Sequence, residues 1–259
     1  IDFMIEHELM DLKNKQGKAS TGYMTFLPVY QAPFVFSCFN QTIFDMQVLS
    51  HELGHAFAGY MAMRNQPVIS YYMSSTDIAE IHSMAMEQFA YPYAEQFFGE
   101  DAEKFRFAHL QEAITFVPFG VAVDEFQHIC YVNPSLTPKE RTLEWKKLEE
   151  KYMPWRKYDA DDFFDRGGFW YHKLHIYLYP FYYINYTLTT MGAMEFKKKD
   201  LENHKATWED YLKLCKCGGS MSYLETLRYA NLSNPFEAGS VEKAVSVARE
   251  ALLNSKYME

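Results

Sequence analysis

Cysteine is scarce in this chain of 259 residues: Cys38, Cys130, Cys215 and Cys217 are all it has. The C-x-C pair lacks the spacing of a zinc ribbon, and four scattered thiols lack the density of a secreted disulfide framework. Free thiols in a reducing cytoplasm are the default, and no signal peptide is visible. Basic runs are also missing. The longest is Lys197-Lys198-Lys199, expected to solvate a helix end, and with a net charge of −9 it argues against a nucleic-acid surface. Charge is absent from Leu174 to Met194, a stretch long enough to cross a bilayer of about 30 Å. His175, Pro180, Asn185 and the interspersed tyrosines make it too polar for lipid, so a polar-aromatic helix buried in protein is expected and no membrane partner. Long strand alternation, internal repeats and low-complexity segments are lacking too, which excludes a large sheet and a solenoid.

What is present is apolar material, 48% of the residues, in mostly helical spacing. Ile1 to Lys15 reads as an amphipathic helix. Tyr23 to Leu27 and Pro33 to Phe39 are short aromatic and β-branched runs suited to a small hairpin or sheet. After Thr42 the pattern is helical, with helices expected from Asp101 to Phe116 and from a Thr137-Pro138-Lys139-Glu140 cap to about Tyr152. Met153 to Asp165 reads as a loop leading to a Gly167-Gly168 break.

The sharpest signal is His51-Glu52-Leu53-Gly54-His55. Helix residues four apart lie about 40° apart around the axis, so both imidazoles can face one cation. Glu52 then falls beside the metal, where a base for a metal-bound water is needed. Phe44, Met46, Val48 and Leu49 before the motif and Ala56, Phe57 and Ala58 after it predict a buried helix. Buried His and Glu side chains need partners, and a metal supplies them. A third His six residues past the second is excluded by Met61. Pro67 closes the motif helix after Arg64-Asn65-Gln66, and Ser74-Ser75-Thr76-Asp77 opens another, through Ile78 to about Phe98. Glu80 lies in its first turn, and Glu87 returns to within about 20° of the same face. Glu80 is therefore the chosen third ligand of a His-His-Glu zinc site with one position left for water. Taken alone it is also the acid that a helix dipole favours at a helix start. Glu87 is expected in the second shell, orienting a ligand histidine, together with Asp77.

Beyond the motif, Glu80-Ile81-His82-Ser83 with Glu87 forms one ordered block, and Val123-Asp124-Glu125-Phe126-Gln127-His128 with Tyr131-Val132-Asn133-Pro134 forms another. Gly168-Phe169-Trp170, His175, Tyr179-Pro180-Phe181-Tyr182-Tyr183-Ile184-Asn185-Tyr186 and Gly218-Gly219-Ser220 follow. In this order the chain resembles the thimet-type zinc metallopeptidases, specifically the oligoendopeptidase F branch. Ala58 stands where many relatives carry a histidine that is not a zinc ligand. The resemblance implies a mainly α, zincin-like catalytic domain with a small β hairpin or sheet before the HExxH helix. It implies one Zn²⁺ per chain on His51, His55 and Glu80, with Glu52 as general base, and a cytoplasmic endopeptidase acting on oligopeptides. Residues 1–259 are expected to form a single catalytic domain, the C-terminal part of a longer protein, since only fifty residues precede His51 where relatives carry a long helical region.

Tyr179, Tyr183 and Tyr186 are spaced four and three apart, which reads as one helical face of phenols, with aromatic core packing as the plain alternative. The resemblance makes His175 and Tyr186 the oxyanion donors, with Tyr179 and Tyr183 contacting substrate or assisting. Two other classes compete. Glu52-Leu53-Gly54-His55 and Glu125-Phe126-Gln127-His128 are both E-x-x-H, the motif of a di-iron carboxylate bundle, which could recruit Glu80 and Glu87 but leaves His51 unused. A catalytically silent peptide-binding relative is the third reading.

Overall fold

A computed structural model describes residues 1–19, 21–159 and 162–258. The chain divides into two compact units, one of residues 1–110 and 189–259 and one of residues 111–188. The first unit opens on a short helix α1 (Asp2–Glu6) and a strand β1 (Met10–Lys13), not on the single helix to Lys15 that the apolar spacing predicts. Glu8 takes a left-handed conformation (φ 53°), and Met10 and Asp11 pair in parallel with Val35 and Phe36. Sheet pairing here overrides helical periodicity.

The two expected β runs form β2 (Tyr23–Leu27) and β3 (Ala32–Phe39), an antiparallel pair with Met24 opposite Val35 and Leu27 opposite Ala32. The strand order β1-β3-β2 makes β2 an outer strand. Helix α2 (Ile43–Asn65) carries the HExxH motif. Asp45 in its first turn accepts the backbone N–H groups of Asn40, Gln41 and Thr42 at 2.7–3.3 Å, satisfying donors that a helix start leaves orphaned. Its flanks are less uniformly covered than their hydrophobicity predicts, since Ile43 and Phe44 are exposed while Glu52, Gly54, Ala56 and Ala58 are buried.

Helix α3 (Thr76–Phe89) starts at the expected cap but stops short of Phe98. Pro92 cannot continue the ladder, and a 3₁₀ turn, Tyr91–Tyr93, precedes a separate helix α4 (Ala94–Phe98). Helix α5 (Ala102–Val132) outruns the expected Phe116 end and carries the chain into the second unit.

In that unit the Thr137/Glu140 capping box starts α6 (Pro138–Tyr152) as expected. The expected Met153–Asp165 loop holds a one-turn helix α7 (Asp162–Asp165), while Ala160 and Asp161 lie outside the described residues. Gly167 has φ 97°, the conformation that makes the predicted break. A short α8 (Leu174–Leu178) follows, then α9 (Ile184–Cys217). The uncharged Leu174–Met194 stretch is thus not one helix, nor is it wholly buried, since Leu174, Leu178 and Tyr179 are exposed. Among the described residues no helix is long and apolar enough to cross a membrane. The core of this unit gathers Phe119, Val123, Phe126, Trp145, Leu148 and Trp170.

Helix α9 brings the chain back into the first unit, leaves helical geometry at Asn203, and is followed by α10 (Tyr223–Tyr229) and α11 (Ser240–Leu253). Ile78, Ile81, Ala85, Phe196, Tyr211 and Leu214 form the main core of this unit. Lys197-Lys198-Lys199 lies inside α9 and does not solvate a helix end: Lys197 is buried, and Lys199 donates to Asp210 at 2.7 Å. All four cysteines are free thiols. The mainly α class with a small sheet ahead of the HExxH helix is the observed one.

Candidate metal centre

Gly54 lets α2 and α3 approach closely. A Cβ at that position would lie 2.7 Å from His82 O and 2.7 Å from Ser83 Cα, both backbone atoms of the next helix. This contact brings the two motifs together. His51 Nε2 lies 3.1 Å and His55 Nε2 3.4 Å from Glu80 Oε2. One donor atom from each residue falls within 4.8 Å of the others, and among the described residues this is the one group of three or more His, Cys, Asp or Glu side chains so placed.

The surroundings fix the charges. Burial opposes charge on His51, but its hydrogen bonds to Glu80 and Glu87 prevail and raise it to about 10. Glu80 is likewise held below the usual carboxylate range by the two histidines, against the effect of burial. A cation held between these groups would satisfy the same oxygen and nitrogens. Ser83 Oγ donates to Glu80 Oε2 at 3.0 Å and so fixes the carboxylate plane.

Glu87 accepts from His51 Nδ1 at 2.6 Å, which leaves His51 Nε2 directed at Glu80 and His55. Its other oxygen meets His109 Nε2 at 2.7 Å. His109 is a residue that sequence reasoning missed; the available signal was a lone imidazole between Phe105 and Leu110 on an apolar face, where a buried polar ring requires a partner. Asp77 lies one turn before Glu80, with a buried Oδ1 that has no hydrogen-bond partner; burial and then the Asp77 charge raise Tyr223. His82 is a structural histidine, buried and lowered to about 4, with Nε2 3.3 Å from Leu214 O.

Glu52 is buried, its Oε2 has no hydrogen-bond partner, and burial raises its carboxyl above the ordinary value against the pull of His51 and His55. It packs under β2, where a Cβ on Gly22 would come within 3.4 Å of Glu52 Oε1. An orphaned carboxylate oxygen on the helix that carries both imidazoles fits a site built to hold a metal and a water.

In the second unit Tyr179, Tyr183 and Tyr186 do not share a helical face. Tyr179 ends α8, Pro180 follows, and Phe181 takes φ 62° while donating its N–H to Gln127 Oε1 at 2.8 Å. The turn nonetheless gathers the predicted set around His175, whose ring centroid lies 5.2 Å from Tyr183, 6.0 Å from Tyr186 and 6.5 Å from Tyr179. Burial and then Lys173 lower His175, and burial raises Tyr183 to about 12. The second E-x-x-H motif is engaged elsewhere: Glu125 takes Lys151 at 2.9 Å and Tyr152, and His128 is exposed beside Asp124.

The family model of peptidase family M3 matches residues 2–245. The solved structure of PZ peptidase A with an inhibitor superposes with a TM-score of 0.90 at 49% identity, covering 98% of this chain and 45% of that one. A solved oligoendopeptidase F gives a TM-score of 0.89 at 47% identity over the same shares of each chain. The oligoendopeptidase F homolog of Borreliella burgdorferi is 26% identical over 211 residues, 80% of this chain and 35% of the relative. The chain thus spans less than half the length of these proteins.

Proposed function

The chain belongs to peptidase family M3, and we propose that it is a zinc-dependent endopeptidase that hydrolyses internal peptide bonds of oligopeptides. The observation that carries this reading is the His51, His55 and Glu80 cluster with the unpartnered Oε2 of Glu52 on the same helix. His51, His55 and Glu80 would hold the zinc. When bound, zinc supplies a Lewis acid that brings the pKa of water toward about 7 and polarises the scissile carbonyl.

Glu52 takes the proton of the attacking water on Oε2 and returns it to the leaving amine nitrogen. Its burial suits both halves of that task, because a carboxyl raised toward neutrality accepts and releases a proton more evenly. Glu87 holds His51 through Nδ1, so that Nε2 is the nitrogen that would bind the metal. Substrate backbone pairs with the free edge of β2, the outer strand next to Glu52, a recognition mode that reads main chain more than side chains. His175 and Tyr186 serve as donors to the oxyanion, with Tyr179 and Tyr183 assisting or contacting substrate, on the resemblance and on their clustering within their own unit. Free cysteines and the resemblance support a cytoplasmic enzyme with peptides as partners.

Glu52→Gln is the direct test. The amide keeps shape but cannot take the proton, so kcat should fall by about 10²–10⁴-fold while zinc content by elemental analysis stays at one per chain. Near-normal cleavage of a mixed peptide set, read by mass spectrometry, would remove Glu52 from the reaction.

A further inference from the structure

A run of buried hydrogen bonds leads away from the candidate ligands and does not stop at Glu87. His51 Nδ1 meets Glu87 Oε1 at 2.6 Å, Glu87 Oε2 meets His109 Nε2 at 2.7 Å, and His109 Nδ1 meets Tyr91 OH at 2.7 Å. Glu87, His109 and Tyr91 are each more than nine-tenths buried.

The direction of each bond follows from chemistry. Tyr91 is raised well above an ordinary phenol, by burial and then by the Glu87 charge, so it keeps its proton and donates. With the Tyr91 proton in this bond His109 Nδ1 accepts, and Nε2 carries the His109 proton toward Glu87 Oε2. Ionised Glu87 only accepts, so His51 donates through Nδ1, and Nε2 is the nitrogen left for a metal that displaces its proton.

The outer end is rigidly held. Pro92 forces the break after α3 that turns Tyr91 back toward α5. Arg106 Nη2 donates to Tyr91 O at 2.7 Å and to Glu95 Oε2 at 2.6 Å, and Lys197 Nζ sits 3.7 Å from the centre of the Tyr91 ring. His109 itself is stacked on Phe105 at 5.6 Å and 12°.

We propose that His109 and Tyr91 are positioning residues of the metal centre: they pin Glu87 Oε2 so that Oε1 holds His51 in its metal-binding tautomer and orientation. The proposal rests on the zinc reading above. Without His109, a buried carboxylate oxygen loses its donor, and Glu87 is free to turn away from His51.

The test uses the full chain and measures zinc affinity by competition with a chelator, the visible spectrum of the cobalt-substituted protein, and thermal melting of the metal-free form. His109→Leu should weaken zinc by about 10–100-fold, as outer-sphere changes do, and should alter the cobalt spectrum. His109→Gln returns an N–H donor near the Nε2 position and should recover most of the loss. Tyr91→Phe keeps the ring but strands His109 Nδ1, so it should weaken zinc by roughly 3-fold, alter the cobalt spectrum and lower metal-free melting slightly. In a Glu87→Ala background, His109→Leu should cost nothing further, because it acts through Glu87. Parental affinity in His109→Leu, an additive loss in the Glu87→Ala background, or no recovery with glutamine would overturn the proposal. If His109→Leu does not fold, Tyr91→Phe decides: unchanged zinc affinity overturns it, and weaker zinc with an altered cobalt spectrum supports it. A parent chain that binds no zinc refutes the metal reading itself, an outcome distinct from a zinc-binding parent whose affinity ignores His109.

Discussion

Lys197 sits 9% exposed on α9 with its ammonium against the Tyr91 ring and, among the described residues, in no ion pair. Burial lowers it to about 8, with Asp200 opposing and Arg106 adding to the fall. The native lysine therefore loses its proton near pH 8 and the unfolded one near its ordinary 10.5. Between those values the unfolded chain binds more protons, so stability rises with pH across that window. Below pH 8 the buried charge is a burden, and Lys197→Met should be more stable than the parent at pH 7 by about 1–3 kcal/mol, a gap that closes toward pH 10.5. Urea melts of both proteins at pH 7, 9 and 10.5 check this, and a pH-independent difference would show that native Lys197 keeps its proton up to its ordinary range. Tyr186 is a second residue whose single atom can be tested. Tyr186→Phe should leave zinc affinity intact and lower kcat by roughly 10²–10³, the signature of a donor used in the transition state. Steady-state kinetics with an unchanged kcat would assign the hydroxyl to its contact with Tyr182 instead.

Gly54 sets the distance between two helices rather than the chemistry of either. Gly54→Ala gains about 1 kcal/mol of helix propensity, but its Cβ would meet backbone of α3 at 2.7 Å, which cannot rotate away. Steric cost wins, and α3 must shift, carrying Glu80 away from His51 and His55. We expect a net loss of about 1–3 kcal/mol in the metal-free protein and a larger loss in zinc affinity, measured by thermal melts and chelator competition. Parental zinc affinity would show that Glu80 reaches the histidines without this contact. The same pair of helices shows what a sequence exposes. The i, i+4 histidines, the Ser75 cap and the Glu80 to Glu87 spacing are local signals, and they placed both helices and the start of α3, though not its end. The Tyr91–Tyr93 break had a local signal in Pro92 that sequence reasoning passed over, whereas β1 and the turn at Phe181 were not visible, because each depends on a distant partner: Val35 for Met10, Gln127 for Phe181. His109 was missed for that reason too. Its partner Glu87 is on another helix, and a single imidazole carries no periodic signal.

Each of the two compact units has its own buried centre, around Ile81, Phe196 and Tyr211 in one and around Phe126, Trp145 and Trp170 in the other. The candidate ligands and Glu87, His109 and Tyr91 all belong to the first. A metal that binds only the folded form adds stability by mass action, about 4 kcal/mol when its free concentration is a thousand times the dissociation constant. That stability is confined to whatever unfolds together with the site. Zinc should therefore slow amide exchange by up to about 10³-fold in residues 43–65 and 76–89, and leave residues 111–188 near their metal-free rates. The two helices that cross the unit boundary, α5 at Leu110 and α9 at Leu188, should show the change from protected to unaffected within their own length. Exchange read by mass spectrometry with and without zinc tests both points. Equal slowing on either side of Leu110 would make the chain one cooperative body, and no slowing in residues 43–89 would remove the metal from α2 and α3.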